Sequence, residues 1–519
     1  VVGKLLAVRA GSGIEHRGLV TASVMLASIM QALDNTIANV ALPRMQGSLS
    51  ATQDQMAWVL TSYIIAAAIM TPLTGWLASR FGRKRVFMIS IVGFTIASVL
   101  CGIAQSLPQM VVFRLLQGIG GAALVPLSQA VLLDINPPER HARAMSIWGM
   151  GVVLGPILGP ALGGWLTENY EWRWVFYINV PFGILSFLGI SAFLRETSKK
   201  EGAFDFMGFA TLSLAIGSFQ LMLDRGQIKD WFASTEIWIE ATVAAVAFYL
   251  FIVHMATTDK RPFVSIALFK DRNFLTGMLF IFVVGVVLFA TLALLPPLLQ
   301  EHFDYPVFTT GLVTAPRGIG TLLAMLIVGR LSGRIDARYV IAFGFMLVTY
   351  SLWNMTGFSL QMDSRPIVWS GVFQGLGTGF AYVPLAAIAF ATLGPVYRNE
   401  GAAMFNLMRN IGSSIGISVV ETLLTRNTQI AHAALAEHIT PYAGAAAQMS
   451  GSAAAAASPA ASTALAMVDH RVFEQAAMIA YNDDFKLMMV LSACVVPFVF
   501  LLRRTAPRRG EAAHAPVLE

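Results

Sequence analysis

The chain is poor in charge, nearly free of cysteine, and carries no nucleotide-binding loop. Only 12% of its 519 residues are charged, about half the share of an ordinary soluble protein, which excludes a conventional solvated surface. Its two cysteines, Cys101 and Cys494, both fall inside apolar runs, so no disulfide framework is expected. No glycine-rich loop ends in Gly-Lys-Ser or Gly-Lys-Thr, which argues against an ATP-driven pump. The eight histidines show no metal-ligand spacing. Neither a metal, a cofactor nor enzymatic chemistry is therefore expected. A net charge of +6 suits a nucleic-acid partner in principle, but the basic residues sit in short loops beside apolar runs, where membrane topology accounts for them.

What the chain does have is hydrophobicity: 56% of residues are apolar and the mean hydropathy is +0.67. The apolar residues gather into runs of about 20, long enough to cross a hydrocarbon core of roughly 30 Å as helices. The pattern predicts an all-α membrane protein of fourteen spans, the first near 19–43 and the last near 485–502. No cleavable signal peptide is expected, and the run beginning near Leu19 stays as the first span. Most Lys and Arg fall on the side shared by both termini, so both termini are expected in the cytoplasm, with the bundle in the cytoplasmic (inner) membrane.

Internal repetition organises the spans. GWLASRFGRKRV from Gly75 aligns without a gap with GRLSGRIDARYV from Gly329, and Gln117-Gly-Ile-Gly has its echo in Gln374-Gly-Leu-Gly. The echoes divide the chain into a cytoplasmic N-terminus (1–18), a six-helix bundle (19–194), inserted spans 7 and 8 with linkers (195–273), a second six-helix bundle (274–502) and a cytoplasmic tail (503–519). The second bundle includes an outer loop at 426–484. Its Ala- and Ser-rich stretch from Ala443 to Ala466, interrupted by Gly444, Gly451 and Pro459, reads as a mobile linker.

Charges inside the spans mark the candidate site. Asp34 lies in span 1 among Met30, Ile37 and Val40, where a carboxylate costs about 2.5 to 3.5 kcal/mol and so needs a cavity, a partner or a proton. Gln31, Asn35 and Asn39 share roughly its face. Arg114 in span 4 cannot discharge by losing a proton and must find an acceptor or water. Gln117, Arg317, Gln374 and Glu421 also lie in apolar runs as candidate cavity-lining residues, whereas Asp134 and Asp224 near span ends read as interfacial. In span 5, Gly151, Gly155, Gly159 and Gly163 recur every fourth residue, a stripe without side chains against which another helix can pack closely. Pro156 and Pro160 interrupt the hydrogen bonding of the same segment, which Gly164 follows.

These motifs resemble those of the major facilitator superfamily. GMGVVLGPILGPALGG is similar to the fifth-span antiporter motif of that superfamily, GWLASRFGRKRV to its cytoplasmic gating loop, and LDNTIANVALP and RLLQGIGGA to the first- and fourth-span signatures of its drug:proton antiporters. With WRWVFYINVPFG opening span 6, the likeness is to the fourteen-span family and its EmrB type of multidrug efflux permease. The resemblance implies a major facilitator fold of two six-helix bundles plus two additional helices. It implies proton-driven efflux of hydrophobic or amphipathic compounds by alternating access, an antibiotic-resistance activity powered by the proton gradient. Asp34 and Arg114 match the residues tied to proton coupling. Gly151, Gly155, Pro156, Gly159, Pro160, Gly163 and Gly164 match the antiporter motif, and Gly75, Arg80, Gly82, Arg83 and Lys84 the gating loop. Ser79 stands where the family carries an acid, so the ionic latch of that loop is not expected in its usual form. A periplasmic adaptor and an outer-membrane channel are the partners implied. Two other readings stay open: a proton-coupled carrier for one metabolite or siderophore, and a non-transporting scaffold or sensor. The topology predicts that a reporter fused at Pro441 lies outside the cytoplasm; a cytoplasmic reporter would overturn it.

Overall fold

A computed structural model describes residues 17–137, 140–197, 204–258, 262–331, 334–437 and 459–503, whose regular structure is all helical. The long helices, numbered by span, are α1 (Arg17–Ser48), α2 (Gln53–Phe81), α3 (Arg83–Ile103), α4a (Leu107–Gly121), α4b (Leu124–Ile135), α5 (His141–Asn169) and α6 (Asn179–Phe193). They continue as α7 (Phe206–Gly226), α8 (Thr235–Thr257), α9 (Arg272–Pro297), α10 (Val307–Leu331), α11 (Ala337–Met355), α12 (Ser364–Ala391), α13 (Arg398–Ala436) and α14 (Pro459–Phe498). Eleven helices among the described residues are long and apolar enough to cross a membrane. The others of the fourteen segments are α1, α11 and α13. Span 4 breaks into two helices at Ala122 and Ala123, where Pro126 has no N–H to return to the Ala122 carbonyl.

The two halves use the same helix pairs. In the first, α1 packs on α5 and α4a on both α2 and α3; in the second, α9 packs on α13 and α12 on both α10 and α11. The halves meet through α5 against α10 and α2 against α13. Helices α7 and α8 pair with each other, and α7 also rests on α2 and α13. Their linkers are tied down by Asp205, whose carboxylate accepts from the backbone N–H groups of Gly208 and Phe263 at 2.9 Å each and lies 2.8 Å from His254 Nε2. Burial opposes the Asp205 charge, but these hydrogen bonds prevail and hold its carboxyl below the usual range.

The outer loop expected at 426–484 is helical at both ends, and so is the last part, 459–466, of the stretch expected to be a mobile linker. Residues 426–436 continue α13, and α14 begins at Pro459; the stretch from Ala443 to Ser458 lies outside the described residues. At 40 residues, α14 is about 60 Å long, twice a hydrocarbon core of about 30 Å. The physical reason is that alanine favours helix and needs little room to pack: Ala476, Ala477 and Ala480 are all buried. His432 of α13 meets Asp469 of α14 at 2.9 Å.

The glycine stripe of α5 seats α1. A Cβ on Gly155 would lie 2.5 Å from the Ala32 carbonyl carbon, one on Gly159 would overlap the Thr36 hydroxyl, and one on Gly163 would lie 2.9 Å from Ile37 Cγ1. Gly151 faces Met25, and Gly164 has nothing nearby. The side chains of Pro156 and Pro160 lie outside the described residues, although the helix runs through both positions. Because Thr36 also donates to the Gly155 carbonyl at 3.1 Å, the close approach is hydrogen-bonded as well as steric. Gly155→Val is expected to cost about 1 to 3 kcal/mol by overpacking, read as a lowered unfolding temperature of the purified protein, whereas Gly164→Val leaves that temperature within error.

Candidate functional site

The site forms where five helices of the first half converge on Asp34. In α4a, Arg114 and Gln117 are three residues apart and so share a face. Gly118, Gly120 and Gly121 follow them and let the neighbouring helices close in: a Cβ on Gly118 would lie 2.5 Å from the Tyr63 carbonyl oxygen of α2, and one on Gly120 2.6 Å from the Phe94 nitrogen of α3. The long polar side chains are enclosed as a result. Asp34 is 0% and Arg114 1% exposed.

Within that enclosure the Asp34 carboxylate is fully engaged. Its Oδ2 accepts from Arg114 Nη1 at 2.8 Å, and its Oδ1 from Gln117 Nε2 and Asn179 Nδ2, each at 2.8 Å. Arg114 spends its other donors on the Gln117 amide oxygen at 2.8 Å and the Val59 carbonyl at 3.0 Å, and its guanidinium carbon lies 4.4 Å from the Tyr63 ring centroid. Asn179 also donates to Ser98 Oγ at 2.9 Å, and Ser98 in turn to the Phe176 carbonyl at 2.8 Å. Breaking such a pair by removing one charge costs about 3 to 5 kcal/mol, because the other charge is left uncompensated. The arrangement can therefore hold a carboxylate charged in the bundle interior, and protonation of that carboxylate would release donors on two other helices.

Other candidate residues lie elsewhere. Gln31 is half-buried and lies against Tyr63 of α2, and Asn35 is exposed; among the described residues neither bonds to Asp34. Arg317 and Gln374 lie in the second half, on α10 and α12. Glu421, on α13, is exposed. Asp224 of α7 helps line a cavity of about 150 Å³ with Trp58, Thr61 and Arg225.

The loop between α2 and α3 is built around Gly82, whose φ of +95° favours glycine and whose missing Cβ leaves room for the Glu196 carboxylate. Glu196 accepts from the backbone N–H groups of Lys84 at 3.0 Å and Arg85 at 3.3 Å, so an acid from the linker after α6 caps α3. Arg80 is exposed, and Lys84 donates to the Ser191 carbonyl at 2.6 Å. Arg83 instead pairs with Asp134 at 2.6 Å, and the other oxygen of Asp134 pairs with Arg398 of the second half at 2.6 Å. Asp134, read as interfacial from its place at a span end, is thus the centre of an ion triad joining the halves. A Cβ on Gly75 would lie 2.9 Å from Glu400 Cα, and one on Gly329 3.3 Å from Ser146 Oγ, so the two repeated loops make matching contacts with the opposite half. Further in, Gln129 donates to Tyr382 at 3.3 Å and accepts from Asn406 at 2.6 Å, while Trp148 stacks on Tyr382 with centroids 6.5 Å apart.

Sequence reasoning missed Asn179, although it stands inside WRWVFYINVPFG. Gln129 is visible as a lone amide in an apolar run, whereas nothing local distinguishes Glu196, Tyr382 or Asn406.

Comparison with known proteins identifies the family. Residues 24–417 match the Major Facilitator Superfamily. The chain is 39% identical over 427 residues to the multidrug export protein EmrB of Escherichia coli strain K12, covering 82% of this chain and 83% of that one. It is 37% identical over 488 residues to the fatty acid resistance protein FarB of Neisseria gonorrhoeae, covering 93% and 96%. Among solved structures, the proton:xylose symporter XylE superposes with a TM-score of 0.61 at 13% identity, covering 93% of this chain and 95% of that one. The human organic anion transporter MFSD10 superposes with a TM-score of 0.57 at 15% identity, covering 91% and 99%. The chain belongs to the Major Facilitator Superfamily, among the multidrug efflux permeases of the EmrB type, and is a membrane transporter.

Proposed function

We propose that the protein exports hydrophobic or amphipathic compounds across the cytoplasmic membrane in exchange for protons, by alternating access of its two bundles. The observation that carries this reading is the Asp34 network: a buried carboxylate held by Arg114, Gln117 and Asn179 from two other helices. Proton uptake would remove the negative charge that holds Arg114, loosen α1 from α4a and α6, and thereby tie the protonation state of Asp34 to helix position. Both termini, and with them the Arg83–Asp134–Arg398 triad, face the cytoplasm in this reading. The conformation is then closed on the inside, with Gly75, Gly329, the triad and the Gln129–Tyr382–Asn406 cluster all joining the bundles toward that end. The Gly155–Ala32 contact keeps α1 and α5 tight enough to limit leak between proton and substrate paths. A periplasmic adaptor and an outer-membrane channel would carry the substrate onward in a cell with two membranes.

Two experiments test the scheme. In proteoliposomes, adding substrate is expected to drive protons in the opposite direction. The pair variant Asp34→Asn with Arg114→Gln, which leaves no unpaired charge in the site, is expected to fold yet abolish that exchange. Gradient-driven efflux by the folded pair variant would refute the assignment. Separately, Asp134→Asn is expected to weaken the inner closure and shift the population toward inward-open, seen as faster labelling of a cysteine placed at Gln129; unchanged labelling would remove the triad from the gate.

A further inference from the structure

Each bundle buries an acid, and the two are kept in opposite ways. Asp34 of the first accepts from Arg114, Gln117 and Asn179. Asp484 of α14 is 1% exposed, and neither of its carboxylate oxygens has a hydrogen-bond partner among the described residues.

The turns on either side show where Asp484 points. Tyr481, one turn before it, sets its ring against His302 at the end of α9, with centroids 5.8 Å apart; Met488, one turn after it, accepts from the Thr291 hydroxyl of α9 at 3.7 Å. Asp484 shares that face, so it meets α9 between Thr291 and His302, where Leu294, Leu295, Leu298 and Leu299 are buried. The α11 side is fixed as well: Asn482 donates to the Phe358 carbonyl at 3.0 Å, and the Phe485 and Phe358 rings lie 5.8 Å apart. Ionisable groups surround the site without entering it. Glu301 and His302 stand at the end of α9, and Asp483 and Lys486 on α14 are exposed. Arg426 and Glu421 of α13 are exposed too, and α11 carries no charged residue in its outer half.

An ionised carboxylate in this place would face leucines with nothing to balance it, whereas the neutral acid brings no net charge into the apolar cluster. Water is nonetheless near, because Asp483 beside it is exposed. At the same height α9 passes into a π turn over Leu298–His302, an irregularity that recurs at functional sites. We propose that Asp484 is a second proton-binding site, which holds its proton while α14 is packed on α9 and releases it to the outer side when the two helices part. The two acids are then in opposite states in this conformation: Asp34 ionised and held by donors, Asp484 neutral and held by apolar packing. Proton binding at Asp484 stands apart from the efflux reading above; its place in the transport cycle, as a proton additional to that of Asp34, rests on that reading.

Infrared difference spectroscopy of the purified full chain in nanodiscs tests the binding, because a neutral carboxyl has a C=O stretch that an ionised one lacks. At neutral pH the protein is expected to show such a band, lost in Asp484→Asn and kept in the pair variant Asp34→Asn with Arg114→Gln. The band is expected to bleach reversibly on alkaline titration. Asparagine mimics the neutral acid in shape and charge; should Asp484→Asn not fold, Asp484→Glu serves, and is expected to move the band rather than remove it. Joining α14 to α9 by oxidising the pair Tyr481→Cys with His302→Cys is expected to slow the bleaching relative to the reduced pair. A wild-type spectrum unchanged by either Asp484 variant would overturn the proposal, since Asp484 would then be ionised. A band that never bleaches would assign Asp484 a fixed structural proton, and bleaching indifferent to the cross-link would separate release from helix movement; either result also overturns it. In proteoliposomes Asp484→Asn is expected to move fewer protons per substrate than the wild type, and an equal ratio would remove Asp484 from the cycle. Absence of proton exchange in the wild type with the band behaving as expected would instead count against the antiport reading alone.

Discussion

Everything in the first half answers to two opposite charges 2.8 Å apart and shut away from water. Neither could stay in the bundle alone, and together they are held only because four more polar groups arrive from surrounding helices: Gln117, Asn179, Ser98 and the Val59 carbonyl. That requirement fixes the rotation of α1, α4a and α6 about their axes more tightly than apolar packing would, since an apolar face tolerates repacking and a satisfied buried carboxylate does not. It also gives the structure a lever. A proton placed on Asp34 removes the charge that opposes Arg114 without removing Arg114, so a chemical change at one atom is felt wherever the guanidinium must next find an acceptor.

For that lever to move helices rather than only side chains, α1 must be held firmly elsewhere. The stripe of α5 does this from the opposite side, with Gly155 and Gly159 against Ala32 and Thr36, a fraction of a turn from Asp34. The same helix α5 also carries the contact with α10 of the other half. Asp34 is thus one packed helix away from the interface along which the bundles would rock. At the basic end, the Asp134 triad joins the two halves through charges that solvent reaches chiefly at Asp134.

Much of this is legible in the sequence, for definite reasons. Membrane spans are long apolar runs, and a carboxylate or guanidinium inside one stands out because lipid makes it expensive; that is why the residue order alone singles out Asp34 and Arg114. Their pairing is not legible. It depends on α1 and α4a meeting at one height, 80 residues apart in sequence, and nothing local in either span states that height. The ion triad fails to show for a related reason: its carboxylate, Asp134, stands at the end of another span, where an acid is ordinary. The helical extensions at 426–436 and 459–484 are hidden because alanine-rich polar sequence has helix propensity without the apolar bulk that signals packing.

The duplication finally explains why the halves look alike and behave differently. Repeated loops contact the opposite half in the same way through Gly75 and Gly329, and repeated helix pairs build the same bundle twice. The packing geometry of the two bundles has been kept. Chemistry has not: the glutamine persists in both, but its partner is an acid in one half and an alcohol in the other, and the guanidinium comes from the fourth helix of the first bundle and the second helix of the other. The first bundle pairs its buried guanidinium with a carboxylate, whereas in the second Arg317 bonds a backbone carbonyl and the buried acid, Asp484, stands on another helix, α14.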